Sequence, residues 1–281
     1  MRFNHPSSLR PTSIPCPRCK TLVSANADKC INCGLKKPGL YTRLPVLGEL
    51  IRGNLSFVDG IIVVCFLLYV LALALDFPKT ISFSNIFALL SPTNEALYKI
   101  GMGGARSWQA GRWWTLLTTT YLHGGILHIL FNMMWLRQLG RWVEELFGAS
   151  RFIILYTFSG LIGSILSALA GTNFFVGASG AIFGLFGALI YYGRSRGGTF
   201  GSNLFRQILI WAAISFIFGL VMPGIDNWGH LGGFLGGLLM AWLLGYQEKN
   251  RQSLGHHLGA ILTLAIIVAC FGMMLVFFFR T

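Results

Sequence analysis

The chain has 281 residues, of which 54% are hydrophobic, 14% aromatic and only 11% charged, and its formal net charge is +13. Soluble domains carry about a quarter of their residues as charges, so this composition excludes a soluble globular enzyme and indicates a polytopic membrane protein. The basic residues are scattered between apolar stretches instead of forming one face, which argues against a nucleic-acid partner and for a role in topology.

The first 50 residues are polar, Pro-rich and Cys-containing, with no apolar core leading to a small-residue cleavage site. They read as part of the mature protein and not as a signal peptide. Within them, Cys16-Pro17-Arg18-Cys19 and Cys30-Ile31-Asn32-Cys33-Gly34 form two CxxC pairs with ten residues between the inner cysteines. That is the spacing of two facing knuckles that close a tetrahedral zinc site. A pair of disulfides or a redox motif is the rival reading, but the basic-residue distribution puts this region on the reducing cytoplasmic side, where metal binding is the usual fate of such cysteines. The expectation is a zinc-ribbon-like module over 14–36 with a structural zinc on Cys16, Cys19, Cys30 and Cys33. A unit of about 20 residues lacks a core and should need its metal to fold. A juxtamembrane linker over 37–56 follows.

Seven apolar stretches reach or approach the roughly 20 residues that cross a bilayer. They run from Phe57 to Leu75, Thr115 to Leu136, Phe152 to Ala170, Ser179 to Tyr192, Leu204 to Met222, Trp228 to Tyr246 and Leu258 to Phe279. Cys65 and Cys270 fall within spans and read as small packing residues. The fourth stretch is short, so its Ser179 end is expected to stop below the membrane surface in a depression open to water. Seventeen of the 22 Lys and Arg residues fall on one side: nine up to Arg52, three from Arg137 to Arg151, three from Arg194 to Arg206, and two after Tyr246. The positive-inside rule then puts the N-terminus in the cytoplasm and the C-terminus outside. The long connection from Phe77 to Trp114, with Trp108, Trp113 and Trp114, reads as a structure lying in the outer interface.

Polar groups inside spans are costly, so each one asks for a reason. The second stretch holds His123, Gly124, Gly125, His128 and Asn132, and His128 and Asn132, four apart, share a helix face. Ser179 opens the fourth stretch and His230 lies in the sixth. Gly180, Gly184 and Gly187 follow the serine, and Gly229, Gly233 and Gly237 surround and follow the histidine, giving both helices small-residue stripes that permit close approach. Close approach is what a serine and a histidine from different helices need to form a nucleophile and base pair. Asp226, just before His230, reads as a solvated loop carboxylate, with membership of a triad as the alternative. His5, His256 and His257 read as surface residues, and His123 as a rim residue with a structural hydrogen bond.

Gly177-Ala178-Ser179-Gly180 resembles the GxSG nucleophile motif of the rhomboid intramembrane serine proteases. His128-Ile129-Leu130-Phe131-Asn132 is similar to the family's HxxxN element, and His230-Leu231-Gly232-Gly233 with Gly237 to its HxxGxxxG helix. The resemblance covers about Phe57 to Tyr246. It implies an all-α polytopic fold, a six-helix rhomboid core over 57–246, with a loop and a seventh helix over 247–281. By position it implies Ser179 as nucleophile, His230 as base, and the Ser179 backbone N–H, His128 and Asn132 as oxyanion donors. Phe183 matches the aromatic position on which the imidazole rests, and Gly177, Gly180, Gly233 and Gly237 are supporting positions. Catalysis would need no cofactor, and the partners would be transmembrane protein substrates within the lipid bilayer, in a bacterial plasma membrane, with any cytoplasmic partner of the zinc module unknown. One departure is Trp114-Thr115 where the family often has Trp-Arg, with Gly111-Arg112-Trp113 just before. A silent rhomboid-like escort protein is the alternative activity; a transporter would show internal repeats, and none is found.

Overall fold

The computed structural model describes residues 13–16, 21–39, 56–77 and 90–280. The chain divides into two compact units, 1–56 and 57–281.

The first unit is built on a two-stranded antiparallel ribbon of β1 (Ser13–Pro15) and β2 (Leu22–Ser24), in register Ser13 to Ser24, Ile14 to Val23 and Pro15 to Leu22. Its small core consists of Ile14, Val23, Cys16 and Cys30. Two tight returns bring the cysteines round: the Cys16 N–H donates to the Thr21 carbonyl at 2.8 Å and the Cys30 N–H to the Leu35 carbonyl at 2.8 Å. In the second return Gly34 adopts φ +74°, a conformation that glycine takes without strain.

The second unit is helical: α1 (Phe57–Leu75), three short helices α2 (Asn94–Lys99), α3 (Ala105–Gln109) and α4 (Thr115–Thr118), a 3-10 turn over Thr119–Tyr121, then α5 (Ile126–Phe147), α6 (Ala149–Leu169), α7 (Ser179–Arg196), α8 (Gly198–Val221), α9 (Asn227–Leu244) and α10 (Leu254–Phe278). By length and composition, four of these are apolar enough to cross a membrane: α1, α6, α8 and α10. The other three long helices are diluted by what they carry. α5 holds Arg137, Arg141, Glu144 and Glu145, while α7 and α9 are each 18 residues long and rich in glycine. Large apolar side chains such as Val63, Leu67, Ile214, Ile217, Ile261 and Val268 stand exposed along α1, α8 and α10. This is a multi-pass membrane protein whose outer helices offer that surface to lipid.

α7 is the central element. Every residue from Ala181 to Ile190 is buried, with α5, α6, α8 and α9 packed around it. Its closest neighbour is α9, and glycines make that possible. A Cβ on Gly233 would overlap the Gly180 carbonyl and one on Gly237 the Gly184 carbonyl, so the two backbones lie in direct contact. The glycines of α9 form two stripes. Gly232 and Gly236 turn the other way, toward Ile162, Leu166 and the backbones of Gly163 and Ser159 on α6. α9 is thus wedged between α6 and α7, where a second small-residue row is needed and one alone would not serve.

The expected second span, Thr115 to Leu136, is not one helix. The α4 turn and the 3-10 turn end at Leu122, which is extended, and a new helix starts at Ile126 and runs eleven residues beyond Leu136 to Phe147. Gly124-Gly125 accounts for the break, since paired glycines carry the highest backbone entropy cost in a helix. Connections are also shorter than the basic clusters suggested. A single residue, Gly148, joins α5 to α6 and Gly197 joins α7 to α8, so Arg137 and Arg141 lie within the C-terminal half of α5 and Arg194 and Arg196 in the last turn of α7. Arg151 is fully buried. Its guanidinium donates to the carbonyls of Phe147, Asn250 and Arg251 at 3.2, 2.8 and 3.3 Å, tying the turn after α9 to the start of α6. In the connection before α4, Trp108 and Trp113 are exposed and Trp114 is buried. Arg112 is buried there between the rings of Tyr98 and Phe277, 3.9 Å from each centroid, which fastens this connection to the far end of α10.

Candidate active site

Ser179 is the first residue of α7, and the loop that delivers it is tied down. The Gly177 N–H donates to the Thr119 carbonyl at 3.1 Å, the Phe175 N–H to the Gly103 carbonyl at 3.0 Å, and the Thr119 hydroxyl to the Phe175 carbonyl at 2.6 Å. Gly177 itself has φ +132°, where a side chain would be strained. As an initial residue of α7, Ser179 has a backbone N–H that no carbonyl of its own helix accepts. That donor remains available to a ligand at the helix end.

His230 lies in the first turn of α9, 6% exposed. Its Nε2 is 2.9 Å from the Ser179 Oγ, and its ring stacks on Phe183 with centroids 4.2 Å apart and planes at 16°. Phe183 is one turn beyond the serine on α7. One helix therefore supplies both the hydroxyl and the surface that holds the imidazole flat. Asp226 is half-buried, and its side chain makes no hydrogen bond to the His230 ring. Its Oδ1 accepts from the Gly229 N–H at 3.1 Å, making it the N-cap of α9, and the His230 Nδ1 is buried with no hydrogen-bond partner.

His128 and Asn132 lie on one face of α5. The His128 Nδ1 accepts from the Gly124 N–H at 3.3 Å, which leaves Nε2 as the protonated nitrogen. A Cβ built on Gly177 would stand 2.7 Å from that Nε2 and 3.7 Å from the Ser179 Oγ. The missing side chain thus leaves open the space between serine and histidine in which a carbonyl oxygen fits. The Asn132 Nδ2 donates to the His128 carbonyl at 2.8 Å, using one of its two hydrogens and leaving the other. His123 is buried, not at a rim, and packs edge-on against His128 with ring centroids 5.2 Å apart.

The elements that bring these groups together are α5, α7 and α9. In chemical terms they set a hydroxyl against an imidazole, with the His128 Nε2 and a helix N-terminal N–H close by and Asn132 one turn along α5 from His128. A model of the Rhomboid domain matches residues 110–247, the stretch that holds all of them. The chain is 35% identical over 144 residues to the putative rhomboid protease YdcA of Bacillus subtilis, half of this chain and 72% of that one. The chain belongs to the rhomboid family. It is also 37% identical over 178 residues to the rhomboid protease GluP of B. subtilis, 63% of this chain and 35% of GluP. To RHOMBOID-like protein 5 of Arabidopsis thaliana it is 33% identical over 214 residues, 65% of this chain and 67% of that one. The rhomboid chain thus spans about a third of GluP, and 44% of RHOMBOID-like protein 4 of A. thaliana.

Outside the rhomboid helices, Cys16, Cys30 and Cys33 bring their sulfurs within 4.8 Å of one another, with Cys16 and Cys33 3.6 Å apart. Cys19 lies outside the described residues, as does most of the 37–56 linker. The cluster suits a metal: thiolates at about 2.3 Å from a tetrahedral zinc stand about 3.8 Å apart. The Cys16 and Cys33 sulfurs are too far apart for a disulfide, which needs about 2.05 Å.

Proposed function

We propose that this rhomboid is an intramembrane serine endopeptidase working through a dyad of Ser179 and His230. The observation that carries the reading is the 2.9 Å contact between Ser179 Oγ and His230 Nε2, made across two helices whose backbones touch only because both carry glycine there. In this reading Ser179 attacks a peptide carbonyl while His230 takes its proton, and His230 returns that proton to the leaving amine. Water then hydrolyses the acyl-enzyme with His230 again as base. The oxyanion would be held by the Ser179 N–H, the His128 Nε2–H and the second Asn132 Nδ2 hydrogen, around the space that Gly177 leaves. A carboxylate behind His230 as a third member would add a costly buried charge, and stacking on Phe183 orients the ring without one.

The proposed architecture is a six-helix core over 57–246, a seventh helix over 247–281, and a module over 14–36 in which Cys19 completes a zinc site with Cys16, Cys30 and Cys33. Zinc would supply that module's fold and no part of the hydrolysis. Basic residues put the N-terminus in the cytoplasm and the C-terminus outside, in a bacterial plasma membrane. A helix hides its carbonyls, so the substrates are transmembrane segments that unwind near their outer end at small or helix-breaking residues. The test is cleavage of a model single-span substrate by wild type and by Ser179→Ala, in detergent and after reconstitution. Product from wild type alone is expected. Retained binding with no product from either would make the protein an escort, and equal cleavage by both would refute the nucleophile.

A further inference from the structure

The dyad leaves one polar atom of the base unaccounted for. When His230 Nε2 accepts the serine proton, Nδ1 must carry a hydrogen, and that nitrogen is buried without a partner. A second orphan lies beside it. Asn227, three residues earlier on the same face of α9, donates from Nδ2 to the Gly219 carbonyl at 2.9 Å, while its Oδ1 is buried and unpaired. The two orphans are complementary, one a donor and one an acceptor. Both border a single spot on α8: a Cβ built on Gly219 would meet Asn227 Oδ1 at 2.5 Å and His230 Nδ1 at 3.4 Å. Gly219 keeps that spot clear of any side chain.

We propose that Asn227 is a positioning residue of the reaction, its Oδ1 accepting the hydrogen of His230 Nδ1, directly or through one water, as the imidazolium forms. This rests on the hydrolytic reading above. Catalytic hydrogen bonds are often loose before substrate binds and tighten as charge develops, and a bond to a charged donor is roughly twice as strong as a neutral one. An amide oxygen fills the position that a carboxylate holds in a triad, without a second ionised group inside the bundle. Among the described residues no other group competes for the role. Asp226 is occupied with the Gly229 N–H, His128 lies on the other side of Ser179 beside Gly177, and the stretches of α6 and α8 packed there carry no titratable side chain.

The test uses the purified full chain in detergent, with the rate of Ser179 labelling by a fluorophosphonate and of substrate cleavage followed against pH. Thermal unfolding of each variant reports folding separately. Asn227→Leu removes both the acceptor and the donor to Gly219. Asn227→Asp keeps the acceptor and loses the donor. Asn227→Leu is expected to lower kcat on the order of 10- to 100-fold at unchanged KM. Asn227→Asp is expected to keep most of the rate, and its carboxylate, by favouring the imidazolium, moves the acid limb of the profile to higher pH. Equal impairment of the two variants with the limb unmoved would make Asn227 a structural clamp on α8 and overturn the proposal. So would a wild-type rate in Asn227→Leu. Absence of labelling and of cleavage in the wild type, as in Ser179→Ala, would instead sink the hydrolytic reading itself.

Discussion

Substituting Gly237 by alanine tests the contact on which the site depends. A Cβ at 237 would stand 2.5 Å from both the carbonyl carbon and the Cα of Gly184, and closer still to its oxygen. Carbon atoms pack at about 3.5–4.0 Å, so α7 and α9 must part by about 1 Å, and no flexible side chain lies in the way to yield instead. Overpacking of this kind costs about 1–3 kcal/mol. The larger consequence is for chemistry. Ser179 rides on α7 and His230 on α9, two turns from Gly237, and a displacement of about 1 Å in a reacting pair lowers rates on the order of 100-fold. The control is Gly272→Ala in α10, where nothing lies within 4 Å of the added atom; it is expected to unfold at or slightly above the wild-type temperature and to cleave normally. Thermal unfolding in detergent and cleavage of a single-span substrate give the two readouts. Identical behaviour of the two alanine variants would refute backbone contact between α7 and α9. A lowered Tm with full activity would refute the link between that contact and the dyad.

Phe183→Leu removes the ring under His230 and forfeits about 0.5–1.5 kcal/mol of stacking. It is expected to lower kcat about three- to tenfold with KM unchanged, whereas Phe183→Tyr stays near wild type in the same assay. Asp226→Ala is expected to cost about 1 kcal/mol in thermal unfolding, as the loss of an N-cap does, and only a few-fold in cleavage, and Asp226→Ser restores the stability. A loss on the order of 10⁴ would instead mark a triad carboxylate. Cys30→Ser is expected to abolish the one zinc per chain that elemental analysis of the purified wild type should find, because a structural site of this kind needs its full tetrahedral set.

Sequence carried the identity of the polar groups better than it carried their supports. Ser179 and His230 are 51 positions apart, yet each is conspicuous as a polar residue in an apolar, glycine-punctuated stretch, and the structure brings the two within hydrogen-bond distance. Phe183 comes from the rhomboid resemblance and not from periodicity, and its ring lies stacked on His230. A carboxylate before a helix looks the same in sequence whether or not it caps, and only the Gly229 N–H marks Asp226 as the N-cap of α9. Asn227 escaped notice for a related reason. Its significance lies in an unpaired oxygen beside Gly219 on another helix, and no spacing within α9 reveals that. The break at Leu122–Gly125 was masked by hydrophobicity that continues across it, and the burial of Arg151 by the rule that reads arginines as topological signals. α7 and α9 are less apolar than the four helices that qualify as spans by length and composition. Helices enclosed by protein need not be as apolar as those that face lipid, so the elements that hold Ser179 and His230 are among those least marked as spans.

That last point joins fold to function. A hydroxyl, an imidazole and a carboxamide can be kept inside a membrane protein only where neighbouring helices replace the solvation that lipid cannot give. Here α7 is wrapped by α5, α6, α8 and α9, while α1, α8 and α10 expose large apolar side chains. Wrapping so closely requires small residues, and small residues lower hydropathy and helix propensity alike. The site therefore rests on helices that would be poor spans on their own, held by the packing they make possible. Glycine on both sides of the α7–α9 contact removes the side chains that would separate Ser179 from His230, and glycine at 177 and 219 leaves two spots beside that pair free of side chains, one facing His128 Nε2 and one facing His230 Nδ1. The same residue type thus sets the distance between Ser179 and His230 and the space around them.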